Sequence, residues 1–260
     1  MRIGFYQFFP VHLAVSQNRS KIAEAVENSN VDIIVFPELA LSGYSFSSYE
    51  ELVSCSETRE GKTALLFQRI ADTTETAIIT GFAEYDTATG HIFNSALCVR
   101  PHKPRRIYRK SHLFDTEKKF FTSGDTGFFT FSYKKVSIGM LVCFDHMFPE
   151  AARTLALQGV SIICHPSNLV LEGYAQLTTR VRALENHVFW ILANRTGHEG
   201  STVFTGSSHI VDPHGDILIA ADRESEGLFS VEIDPLLARD KAVTEQNNIL
   251  TDRRCDLYRL

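Results

Sequence analysis

The sequence is poor in the features that mark several protein classes. Its 260 residues hold five cysteines (Cys55, Cys98, Cys143, Cys164, Cys255), odd in number, scattered and never in CxxC spacing. That argues against a disulfide framework or a structural zinc site. The longest unbroken apolar run extends only from Val188 to Ala193, whereas a membrane-spanning helix needs about 20 apolar residues. The opening stretch Met1–Pro10 has no clean apolar stretch and no small-residue cleavage site, and reads as a first strand stopped by Pro10 rather than a signal peptide. A cytoplasmic protein with reduced thiols is expected. No charge dominates: Lys+Arg is 26 and Asp+Glu is 31, a net of −5, which disfavours nucleic acid or an anionic membrane as partner.

Other absences narrow the chemistry. None of the ten histidines falls in an HExxH pattern or another tight metal pair, and no GxSxG elbow announces a serine hydrolase. Glu60-Gly-Lys-Thr63 has the end of a phosphate-binding loop, but Ser56 stands where the pattern needs glycine and no buried strand precedes it. The basic run Lys103–Lys110 would put Arg106, Tyr108 and Lys110 on one strand face, and within an acidic whole it is a weak nucleic-acid patch. No repeat and no Pro/Gly/Ser-rich linker divides the chain. A single domain over 1–260 is expected, with a polar C-terminal arm from about 245 that could lie on a neighbouring subunit.

What is present is ordinary globular composition, 44% hydrophobic and 22% charged, arranged as short β-branched or aromatic runs alternating with amphipathic stretches. Strands are predicted over Ile3–Phe8, Asp32–Phe36, Ala77–Ala83, Ile92–Val99, Arg106–Arg109, Val136–Val142, Val160–Cys164 and Val188–Asn194. Helices are predicted over Ser16–Asn28, Thr63–Thr76, Pro149–Gln158 and Tyr174–Asn186. The last third is strand-rich. This is an α/β chain whose sheets are covered on at least one face.

The most informative segment is Val136-Ser-Ile-Gly-Met-Leu-Val-Cys143-Phe-Asp-His-Met-Phe-Pro-Glu150. A buried strand runs into Cys143, then a short turn, then a helix begun by proline. A side chain at such an elbow projects into the crevice beyond the strand end, and the N–H of Phe144 could face an oxyanion. Taken alone, a buried cysteine is as readily a core residue. A nucleophilic thiol needs a base and a favourable positive charge. Ile33-Ile-Val-Phe-Pro-Glu38 delivers a carboxylate at a strand end, and Tyr108-Arg-Lys110 delivers an ammonium at another, although each alone could be a solvated surface group.

Together, Phe36-Pro-Glu38, Arg109-Lys110 and Cys143-Phe-Asp-X-X-Phe-Pro-Glu150 resemble the Glu–Lys–Cys triad of the nitrilase (carbon–nitrogen hydrolase) superfamily in order and separation. Glu117-Lys-Lys-Phe-Phe-Thr-Ser-Gly-Asp125 is similar to the family segment carrying a second, supporting glutamate. The resemblance implies a four-layer αββα sandwich that usually pairs into homodimers or higher homo-oligomers. It implies a thiol-dependent amidase that turns a small amide and water into a carboxylic acid and ammonia through a cysteine thioester, without metal or cofactor. Glu38 would be the general base and acid, Lys110 the oxyanion stabiliser, Cys143 the nucleophile and Glu117 the supporting carboxylate. Labelling by a thiol reagent should then find one fast, low-pKa cysteine. Phe144, Tyr44, His146 and Asn168 are the expected substrate-binding residues, and His146 departs from the large apolar residue many relatives carry there. Phe144-Asp145 resembles the amidase branches; a nitrilase of small aliphatic nitriles or an N-carbamoyl amine amidohydrolase are the alternatives.

Overall fold

In the computed structural model, which describes residues 1–258, the chain begins with β1 (Arg2–Gln7), α1 (Val15–Glu27), β2 (Ile33–Val35), α2 (Tyr49–Cys55), α3 (Lys62–Thr74), β3 (Ala77–Tyr85), β4 (Ile92–Arg100) and β5 (Lys103–Arg109). It continues through β6 (Thr130–Tyr133), β7 (Val136–Met140), α4 (Pro149–Leu157), β8 (Ile162–Pro166), α5 (Tyr174–Asn186) and β9 (Phe189–Ala193). After a small hairpin, β10 (His198–Glu199) and β11 (Thr202–Val203), come β12 (His209–Val211), β13 (Ile217–Ala220) and β14 (Gly227–Glu232). A second hairpin, β15 (Ala242–Thr244) and β16 (Asn247–Asn248), follows.

Two six-stranded sheets carry the fold, in the orders β14-β1-β2-β3-β4-β5 and β13-β12-β9-β8-β7-β6. Each has a parallel centre, β1-β2-β3 in one and β7-β8-β9 in the other, flanked by antiparallel strands. The strands explain the layering. Successive side chains point to opposite faces, so Ile3, Phe5, Ile33, Val35, Ala77 and Ile79 turn inward and join Ile138, Met140, Ile162 and Cys164 of the second sheet in one core. The alternate residues Ile34, Ile78, Leu97 and Val99 turn outward, onto Ile22 and Val26 of α1 and Phe67 and Ile70 of α3. Helices α4 and α5 cover the other side of the second sheet through Ala151, Leu155, Ala175 and Ala183. The result is the four-layer αββα sandwich. Strands buried on both faces read as continuous apolar runs, which is why they stand out in the sequence.

Two elements escape the sequence pattern: α2, too short to show a helical period, and the edge strand β6. The strand leading to Cys143 also stops at Met140 rather than Val142. The expected basic face along Lys103–Lys110 breaks up, with Arg106 exposed while Tyr108 and Lys110 are buried. No helix among the described residues is long and apolar enough to cross a membrane. The expected arm includes β16 and exposed turns; its last two positions, 259 and 260, lie outside the described residues.

Candidate active site

Three strand ends meet at one point. Just past β2, Pro37 and Glu38 lead into Leu39, which takes a left-handed φ of 46°, and Glu38 becomes completely buried. The loop is locked to β3 by hydrogen bonds from Gly81 N to Pro37 O and from Ala40 N to Gly81 O, each 3.0 Å. Just past β5, the backbone of Lys110 is held by Asn94 O at 2.8 Å and by Gly124 N at 2.9 Å. Past β7, Cys143 opens a 3-10 turn over Cys143–Met147 with a φ of 40°. Positive φ is uncommon and strained for a residue with a β-carbon, and here it turns the thiol away from the strand.

That strained elbow is braced by Asp145, a residue whose structural importance the sequence reading missed. One carboxylate oxygen accepts the N–H of Val142 at 2.9 Å and the hydroxyl of Tyr108 at 2.8 Å. The other accepts the N–H of His112 at 3.1 Å and meets its Nδ1 at 2.7 Å. From below, His165 Nε2 lies 2.8 Å from the carbonyl of Cys143, and Trp190 Nε1 donates to His165 Nδ1 at 3.2 Å. The indole N–H can only donate, so Nε2 carries the imidazole proton and donates it to the Cys143 carbonyl. Burial, with the positive potential of nearby groups, keeps this ring neutral by pushing its pKa well below the histidine range.

The side chains then assemble as a buried charged cluster. The Lys110 ammonium donates to Glu38 Oε1 and to Glu117 Oε1, both at 2.7 Å. Asn94 Nδ2 donates to the same Glu38 oxygen at 2.7 Å, and the Tyr44 hydroxyl donates to Glu117 Oε1 at 2.9 Å. Glu38 Oε2 is buried with no hydrogen-bond partner. Burial alone would discharge Lys110, but the two carboxylates hold its pKa above the lysine range. Glu117 is pushed up by burial and by the charge of Glu38, against the pull of Lys110. Tyr44, half-buried beside both carboxylates, is pushed far above the phenol range by desolvation and by their charge.

One expectation is corrected here. The Cys143 thiol is not acidified: burial and the charge of Glu38 push it well above the ordinary cysteine range, outweighing Lys110. A thiol shifted in this direction would need a base in order to act as a nucleophile. The reading of Lys110 as a solvated edge lysine also falls, since the residue is 1% exposed.

Beside Cys143 opens a cavity of about 70 Å³ lined mainly by Phe114, Phe144, Met147, Leu169 and Val170, with His146, Asn168 and Tyr174 as its polar members. Cys143 Sγ lies 3.8 Å from the carbonyl oxygen of Asn168. The N–H of Phe144 has no acceptor among the described residues. Of the expected binding residues, Phe144, His146 and Asn168 line this cavity; Tyr44 lies outside its lining, with its hydroxyl committed to Glu117. The Tyr44 loop is itself held by Glu199, whose Oε2 accepts the N–H groups of Tyr44 at 2.9 Å and Ser45 at 2.7 Å while its other oxygen pairs with buried Arg195. Nothing local in the sequence links these distant positions. No group of three or more His, Cys, Asp or Glu side chains among the described residues is arranged to hold a metal ion.

A family model described as carbon-nitrogen hydrolase matches residues 2–242. The chain is 37% identical over 262 residues to a protein of Pyrococcus abyssi named nitrilase, covering 99% of each. It is 33% identical over 245 residues to an (R)-stereoselective amidase of Pseudomonas sp., covering 93% of this chain and 86% of that one. Among solved structures, an amidase from Nesterenkonia sp. superposes with a TM-score of 0.82 at 25% identity, covering 99% of this chain and 94% of the other.

Proposed function

The chain belongs to the carbon–nitrogen hydrolase family of the nitrilase superfamily, and on that premise we propose that it hydrolyses a small amide to a carboxylic acid and ammonia through a thioester on Cys143. The observation that carries this reading is the unpartnered Oε2 of Glu38, fully buried in a cluster whose charges reach the Cys143 thiol.

Glu38 Oε2 takes the thiol proton as sulfur attacks the amide carbon. A base must act at that moment, because the buried thiol does not ionise by itself. The oxyanion that forms is met by the Lys110 ammonium and the Phe144 N–H; in other enzymes the loss of one such donor costs about 3 kcal/mol. Glu38 returns its proton to the departing nitrogen, the C–N bond breaks and ammonia leaves. Water then loses a proton to Glu38 and attacks the thioester, and the sulfur leaves with that proton restored. Glu117, fixed by Lys110, Tyr44 and the N–H of Phe114, keeps the ammonium aimed at the reacting carbon. Thiolate, acid–base group and oxyanion site complete the acyl transfer, so no metal or organic cofactor is required.

The nitrilase name of the Pyrococcus relative favours a second reading, attack on a nitrile carbon by the same thiol. A screen of ammonia release from paired amides and nitriles with identical side chains separates the two. Turnover of amides with little of the matched nitriles is expected; the reverse preference overturns the amide assignment.

The assembly is proposed to be a homodimer. Tyr174, Leu177, Val181 and Leu184 recur at helical spacing along α5 and are exposed, an apolar stripe that monomeric surfaces seldom present. A second copy of the chain is its natural cover, with the segment from about 245 as the arm of the single domain. Light scattering should give a mass near twice 29.2 kDa or a multiple of it. A cytoplasmic location, where thiols stay reduced, suits a cysteine nucleophile.

A further inference from the structure

His146 follows the nucleophile by three positions, is 5% exposed and lines the cavity beside Cys143. Its Nδ1 lies 2.6 Å from Thr178 Oγ1, and that hydroxyl donates its single proton to Tyr174 O at 2.9 Å. With that proton committed to Tyr174 O, Thr178 accepts from Nδ1; this assignment of the hydrogens puts the imidazole proton on Nδ1 and leaves Nε2 a lone pair. Nε2 has no partner among the described residues. Burial and the nearby Arg182 charge push the ring's pKa down to about 4, so at neutral pH the ring stays uncharged and Nε2 stays an acceptor.

A second observation points the same way. Asn168 is 3% exposed and lines the same cavity, yet neither its Nδ2 nor its Oδ1 has a partner. Buried polar atoms are nearly always bonded, so such atoms around one cavity mark where a ligand's polar atoms belong. The carbonyl of Asn168 sits next to Sγ, which puts this residue at the reacting end and leaves His146 for the substrate's side chain. Apart from Cys143 and the Tyr174 hydroxyl the remaining lining is apolar, and it contains no Asp, Glu, Lys or Arg, so an ion buried there would be uncompensated.

We propose that the pocket selects amides with a compact, uncharged side chain bearing a hydrogen-bond donor, a hydroxyl above all, and that His146 Nε2 is the acceptor that recognises it. The inference rests on the amide-hydrolysis reading and adds the substrate class.

The test uses glycolamide and propionamide, which differ by a hydroxyl in place of a methyl group. The quantity read is the ratio of their kcat/KM values. His146→Leu should lower the glycolamide-to-propionamide ratio by about three- to tenfold, the usual worth of one neutral hydrogen bond. His146→Gln, which keeps an acceptor, should recover much of it. A ratio indifferent to both substitutions overturns the inference while leaving amide hydrolysis standing. Ligand-detected NMR titrations of both amides against Cys143→Ala, with and without His146→Leu, give the second arm. If turnover is absent but the His146-dependent binding preference is present, the hydrolysis reading fails and the pocket assignment stands; if the preference is absent as well, both fall.

Discussion

A β-carbon added to Gly81 would lie 2.4 Å from the α-carbon of Glu38. The other near atoms, Leu39 N and the carbonyl carbon of Glu38, are also backbone, so no side-chain rotation relieves the clash. At Gly81, strand β3 meets the loop bearing Glu38 backbone to backbone, so the proposed base sits where it does because no side chain stands at position 81.

Gly81→Ala should therefore harm both stability and rate. Overpacking of this kind costs about 1–3 kcal/mol, and a displacement of about 1 Å at a catalytic group can cost on the order of a hundredfold in turnover. Urea unfolding and kcat measured on the same preparation test this. A variant with wild-type kcat would mean that the position of Glu38 does not depend on this contact.

Lys110→Met should leave Glu38 and Glu117 buried without their shared cation. Breaking a buried pair from one side costs on the order of 3–5 kcal/mol, and turnover should fall at least about a hundredfold with the proposed oxyanion donor gone. The stability deficit should shrink as the pH is lowered toward the carboxylate range, because one of the two acids can then take up a proton. A deficit that is flat with pH would show that the carboxylates do not depend on Lys110.

The acid side of the stability profile should carry the signature of buried neutral histidines. Burial pushes His146 and His209 down to about 4, and it pushes His165 well below the unfolded value of 6.5. A histidine depressed in the folded state contributes fully above pH 6.5, and its contribution is lost as pH falls from there toward 4, because the unfolded chain binds the proton first. Each such group contributes a slope of about 1.4 kcal/mol per pH unit within that window. His209→Gln should flatten the decline in unfolding free energy between pH 7 and 5 by one group's share. An unchanged slope would mean that His209 titrates alike in both states.

Most of the strands and helices were legible in the sequence pattern, whereas the four-layer arrangement and the proposed site residues Glu38, Lys110 and Cys143 came from the resemblance. Doubly buried strands leave uninterrupted apolar runs, and Glu38 and Cys143 follow two of those runs; Lys110 follows the basic, partly exposed strand β5 and stood out only through the resemblance. What joins the ends was not legible. Asn94 on Glu38, Tyr108 and His112 on Asp145, and Glu199 under the Tyr44 loop pair across long separations in the chain, and none leaves a local pattern. Gly81 and Gly124 look like ordinary glycines until the backbones they admit are seen: a β-carbon on Gly124 would lie 2.0 Å from the carbonyl oxygen of Arg109. The direction of the Cys143 shift was likewise out of reach, because it depends on how completely the thiol is buried and on two carboxylates opposing one ammonium.

The most direct test of the thioester account is ammonia release by purified Cys143→Ala on the best amide found in the screen, with far-UV circular dichroism and melting recorded alongside. The expected result is release no faster than the blank from a protein that remains folded like the wild type. Substantial turnover by that folded variant would contradict the assignment of the sulfur as nucleophile, and the mechanism built on it would fall.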